Sequence, residues 1–216
     1  MSSCTRCSGL TRRRARKAAG FTMVELMLAL GITGLIAAAV AAMMTTVSYG
    51  ATEARDARAL VAKSKALQAR ITAAIRTGVL ILDANTAADD GDDFVILWRP
   101  GPEAAPNTPR TSELQRIAFD TATGRIVSYR NPAPASDTTY TLADDFAATT
   151  ATLITNGTLP AEVWATGVAD WDVTLNDDEP QNATIASYRA SLSSGAITEV
   201  AIGAAALRNR SIQTGE

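Results

Sequence analysis

The residues of this chain that could do chemistry are few. There is no histidine, and the only cysteines are Cys4 and Cys7. A C-x-x-C pair suits a redox couple or half of a zinc site. No second pair and no histidine completes a tetrahedral set. Carboxylates are more plentiful. Asp89, Asp90, Asp92 and Asp93 crowd around Gly91, and clustered carboxylate oxygens are what a hard cation such as calcium takes. Their spacing departs from the EF-hand pattern and lacks its distant bidentate Glu, so a solvated loop is the plainer reading. Asp144-Asp145, and Asp170 with Asp172, are carboxylate pairs of a type used in glycoside hydrolysis, but nothing sets either pair across a cleft. No nucleophile elbow, phosphate loop or dinucleotide fingerprint occurs. The expectation is a non-enzyme with no cofactor, calcium at residues 89–93 being the one metal candidate.

Glu25 is unusual because of its position. It opens an apolar run, Leu26 to Met44, of nineteen residues without a charge. That length lets a helix cross the ~30 Å hydrocarbon core of a bilayer. A carboxylate at such a place is costly unless partnered, and reads as functional. Ahead of it stand Arg6, Arg12, Arg13, Arg14, Arg16 and Lys17, with no acid among residues 1–20. The other 14 basic residues face 22 acids, a net of −8 hidden within the overall −2. Basic flanks stay cytoplasmic, so the acidic remainder is expected on the outer side of the membrane. An acidic exterior argues against phosphate-backbone binding. The run is too long for an ordinary secretory signal, and no small-x-small site ends it. An uncleaved signal anchor is the remaining plain alternative.

Gly20-Phe21-Thr22-Met23-Val24-Glu25-Leu26, behind a basic leader and ahead of a long apolar helix, resembles the processing site of type IV pilins and pseudopilins. Gly34 and Ala37 also fit that pattern. The resemblance covers about the first 60 residues. It implies that a membrane prepilin peptidase cuts between Gly20 and Phe21 and methylates the new amino group of Phe21. It implies that Glu25 pairs with a neighbouring subunit's N-terminus during assembly. The implied partners are the peptidase, other pilin or pseudopilin subunits, an inner-membrane assembly platform and membrane lipid. The implied location is the bacterial inner membrane, single-pass, N-terminus inside and C-terminal domain periplasmic or extracellular, then a pilus or pseudopilus. The layout is most similar to a minor pilin or minor pseudopilin. An uncleaved, membrane-anchored extracytoplasmic binding domain is the rival. Many pilins bend this helix at a proline; Ala42 holds that place here.

These features need elements to position them. Residues 1–20 read as the leader and 21–82 as one helix, membrane-spanning over about 26–44. Gly31 and Gly34 with Ala37, Ala38 and Ala41 form a small-residue side suited to close helix approach. Over 50–82 the pattern turns amphipathic. Leu60, Lys63 or Ser64, Leu67, Ile71, Ala74 or Ile75, and Gly78 or Val79 recur at helical spacing, while Arg55, Arg58, Lys65, Arg70 and Arg76 mostly take other faces. Residues 83–216 read as a β-rich globular domain. Expected strands are 94–99, 114–120, 125–130, 168–175, 183–192 and 197–207, with a hairpin turn at 121–124. An edge strand is expected at 138–142, and 143–162 reads as loop with a short helix. Along 168–175, Ala169, Trp171, Val173 and Leu175 are expected to face the helix. Trp98, Trp164 and Trp171 read as core or turn anchors. The fold class is α+β, a long N-terminal helix packed on a C-terminal antiparallel sheet in the pilin-like manner.

Overall fold

A computed structural model describes residues 20–85, 93–101 and 107–208. The chain divides into two compact units, Met1–Ala51 and Thr52–Glu216. Helix α1, Met23–Thr77, runs from the first unit into the second. In the first unit its side chains are exposed throughout, including Leu26, Leu35, Met43 and Met44. An exposed all-apolar helix is unfavourable in water and suits lipid or a helix bundle. It is long and apolar enough to cross a membrane, and its apolar window is not buried within the chain as a core helix would be.

In the second unit α1 buries one stripe: Leu60, Ser64, Leu67, Ile71, Ala74 and Ile75. This is the period expected from the sequence. The helix ends earlier than the expected 82. Leu80–Asn85 instead forms strand β1. Gly78 carries the change of direction. Its N–H donates to Ala74 O and Ile75 O, and a Cβ there would lie 3.3 Å from both Ile75 O and Leu207. The apolar Leu80-Ile81-Leu82 continues the helical spacing by chance, but tertiary pairing claims it for the sheet.

Two antiparallel sheets follow where the sequence suggested one. The first is β1-β2-β3-β4-β5, from β1, Phe94–Trp98, Leu114–Asp120, Arg125–Arg130 and Ala161–Thr166. The second is β6-β7-β8, from Val168–Leu175, Ile185–Ser194 and Ile197–Ala206. Gly167 separates them in a positive-φ conformation (75°), its would-be Cβ 2.9 Å from Ser193 O. Only glycine adopts that backbone without strain. The hairpin at 121–124 forms as expected, with Asp120 opposite Arg125 and Gly124 at φ 60°. Residues 138–142 make only an isolated bridge, Thr139 to Arg110. The short helix within 143–162 is α2, Phe146–Thr155.

The α1 stripe and both sheets share one core, including Leu67, Ile71, Ile117, Ile126, Trp171 and Tyr188. Fully burying a side chain of leucine size stabilises by about 1.5–3 kcal/mol, so this stripe dominates the helix's attachment. Trp171 and Val173 face inward as expected. Ala169 does not, because a bulge between Val168 and Asp170 turns Val168 inward instead. A second cluster, Leu80, Leu82, Ile96, Trp98, Leu114 and Phe146, packs α2 on the other side of the first sheet.

Candidate functional site: the start of the apolar helix

Glu25 sits one turn into α1, three residues after Thr22. Its Oε2 accepts from the Thr22 N–H at 3.0 Å and from the Thr22 hydroxyl at 3.1 Å. The Glu25 N–H in turn donates to Thr22 Oγ1 at 3.3 Å. This reciprocal arrangement is a capping box, which satisfies amide donors that a helix start leaves open. The T-x-x-E spacing was readable in the sequence, yet reading Glu25 only for its charge misses it. The acid at the helix N-terminus also lies at the positive end of the peptide dipoles.

Gly20 and Phe21 precede the helix, and both are exposed. A Cβ on Gly20 would meet nothing within 4 Å. Among the described residues, no close neighbour demands glycine at this position. Phe21 is 82 % exposed and packs on no core. The structure thus brings together Gly20, Phe21, Thr22 and Glu25 on an unpacked chain start leading into an exposed apolar helix.

Residues 15–41 match the family model for the prokaryotic N-terminal methylation motif. The chain carries a prokaryotic N-terminal methylation motif. The motif spans Gly20, Phe21, Glu25, Gly34 and Ala37, and is consistent with a type IV pilin or pseudopilin precursor. No curated protein and no solved structure gives a significant match to the chain. The motif and the exposed apolar helix fit a membrane-anchored protein.

The other candidates fall elsewhere. Cys4, Cys7, Asp89, Asp90 and Asp92 lie outside the described residues. Asp93 is buried at the start of β2, and no metal-holding group of three occurs among the described residues. Asp145 caps α2, accepting from Ala148 N at 2.9 Å, and Asp144 accepts from Thr141 N at 2.7 Å. Asp170 and Asp172 are exposed on β6. A carboxylate that sequence reading passed over is Glu113, only 5 % exposed. It accepts from Trp98 Nε1 (3.0 Å), Gly101 N (3.0 Å) and Arg110 N (3.2 Å). Those donors satisfy a buried polar side chain and tie Gly101 and Arg110 to Trp98 of the sheet, a structural role.

Proposed function

We propose that this protein is a structural subunit, a minor pilin or pseudopilin, of a type IV pilus or type II secretion fibre. A prepilin peptidase cuts Gly20–Phe21 and methylates Phe21, and the apolar half of α1 then leaves the bilayer for the core of the fibre. The match over residues 15–41 carries this reading. The open space around Gly20 supports it: no described neighbour requires glycine there, whereas an enzyme subsite that admits no side chain would.

Before cutting, the six basic leader residues hold the N-terminus inside. Cutting removes them and leaves an ammonium on Phe21. Packing helices together then withdraws Glu25 from water. A lone buried charge is heavily penalised, whereas an ion pair with satisfied hydrogen bonds is tolerated. The partner is the Phe21 ammonium of a neighbouring subunit, and Thr22 supplies the remaining donors. The same pairing requirement sets the stagger between subunits.

Mass spectrometry of the chain extracted from membranes tests the reading. A chain beginning at N-methylated Phe21 is expected. An intact leader overturns it and leaves an uncleaved, membrane-anchored binding domain.

A further inference from the structure

Strand β8 is an edge of the second sheet, and α1 engages only part of its outward side. Main-chain groups along an antiparallel strand alternate in direction, with the N–H and C=O of one residue pointing the same way. The β7–β8 register runs without a shift from Ile185↔Ala206 to Ser194↔Ile197. Just beyond it, Leu207 N donates to Thr184 O on the β7 side, and Arg208 N donates the opposite way, to Gly78 O. Ile202 O likewise accepts from Gln68 Nε2 on α1. The even-numbered residues Thr198, Val200, Ile202, Ala204 and Ala206 therefore turn their main-chain groups away from β7.

Proteins ordinarily blunt such an edge with charged side chains, proline, a bulge, a short strand or a covering helix. β8 has no lysine, proline or bulge, and α1 meets its outward side at Ile202 O through Gln68. It is ten residues long with Glu199 as its single charge. The side chains of its even-numbered residues are exposed, Val200 at 38 % and Ile202 at 63 %. Beside the edge runs a groove of about 730 Å³, lined by Lys65, Ala69, Thr72, Arg76, Gly203 and Ala204 among others. No acid lines it. Neither Lys65 nor Arg76 has a carboxylate within 4.0 Å among the described residues.

From these observations we infer that the β8 edge and its groove dock an extended, acidic segment of another protein subunit. The segment adds a strand to β8, and its carboxylates meet Lys65 and Arg76. Main-chain pairing supplies affinity and the side chains supply selection, as in other strand additions. The outward main-chain groups of Thr198, Val200 and Ala204 call for a peptide, which a lipid headgroup does not match. Two copies of β8 pairing with each other would bring four cations together, which the charges oppose. The inference rests on the proposed assembly of this chain with other subunits.

A photoreactive amino acid at Ala69, in the full chain expressed in its host cell, tests it. The cross-linked peptide is identified by mass spectrometry. An Asp- or Glu-rich segment of another subunit is expected. Ala204→Pro should cut the cross-link at least tenfold while leaving the fold intact, because proline is tolerated where an edge N–H faces outward. Should that variant fail to fold, Ile202→Lys, on an exposed side chain, blocks the same edge. Lys65→Glu with Arg76→Glu should lower the yield by a similar factor. Cross-links solely to lipid, nucleic acid or this chain's own residues overturn the inference, as does an unchanged yield in folded edge variants. The N-terminal mass is read on the same sample. A mature Phe21 with no cross-link overturns strand docking alone, whereas an uncut leader overturns the fibre reading however the cross-link falls.

Discussion

Glu25 has one role that the single chain shows and a second that the proposed fibre would give it. In the single chain it closes a capping box with Thr22, and in the proposed fibre it meets a neighbour's ammonium. The two can be separated, because glutamine keeps the capping geometry but not the charge. Glu25→Gln is expected to preserve the amide signals of the helix start in micelle NMR spectra and yet be depleted from fibres. Glu25→Ala should lose both. Normal incorporation of Glu25→Gln would mean that the charge is not what the fibre selects. Gly20 is the complementary case, since a Cβ there would meet nothing within 4 Å among the described residues. Gly20→Val should leave helix content by circular dichroism unchanged while the uncut precursor accumulates on immunoblots. Processing of Gly20→Val at the normal rate would show that the peptidase does not read this position.

At the scale of elements, the second half of α1 is held by its apolar stripe. Leu67 and Ile71 are 0 % and 1 % exposed. Leu67→Ala should cost about 2–5 kcal/mol, the range for a leucine truncated in a packed core. Denaturant unfolding of the full chain in micelles, followed by the fluorescence of buried Trp171, measures it. Beside that stripe stands Tyr188, stacked on Trp171 with ring centroids 6.2 Å apart. Its hydroxyl donates to Gln68 O at 3.0 Å and lies 2.8 Å from Thr72 Oγ1. Burial raises its pKa above the ordinary 10.0, outweighing the Thr72 hydrogen bond that lowers it. The neutral phenol is therefore the form that the fold prefers. The stability this group contributes is complete below about pH 10 and is lost as pH rises through the raised folded value. Alkaline unfolding curves should show this loss, and Tyr188→Phe should reduce it. An identical alkaline slope in both proteins would contradict the assignment. Gly203 lies under the same ring, its would-be Cβ 2.3 Å from the Tyr188 hydroxyl, so glycine is what lets the ring reach α1.

The elements also explain what could be read from the sequence. The strands Leu114–Asp120, Arg125–Arg130 and Val168–Leu175 stand where alternation and turn residues put them. β1 was hidden because Leu80, Ile81 and Leu82 extend a helical apolar spacing, and only pairing with β2 redirects them. β5 was hidden because it is short, mostly exposed and set between Pro160 and Gly167. The split into two sheets depends on the conformation of Gly167, which composition does not reveal. At the candidate site, the motif matched over residues 15–41 was legible from residue type and order alone. The capping role of Glu25 was legible too, but a reading focused on a charge in lipid does not look for it.

At the scale of the whole molecule, the two units are built for different surroundings. Residues 20–51 present apolar side chains with no cover among the described residues, and the described residues from 52 onward bury most of theirs around α1 and two sheets. A fibre subunit needs both, an N-terminal helix to be shared with its neighbours and a domain that folds around the rest. The central claim is that the leader is removed at one bond to free the shared helix. The most direct measurement is the intact mass and N-terminal peptide of the chain purified from its own membranes. The account predicts a chain beginning at N-methylated Phe21, without residues 1–20. A chain that still carries Arg12 to Lys17 at steady state, in cells whose peptidase processes other substrates, would contradict it.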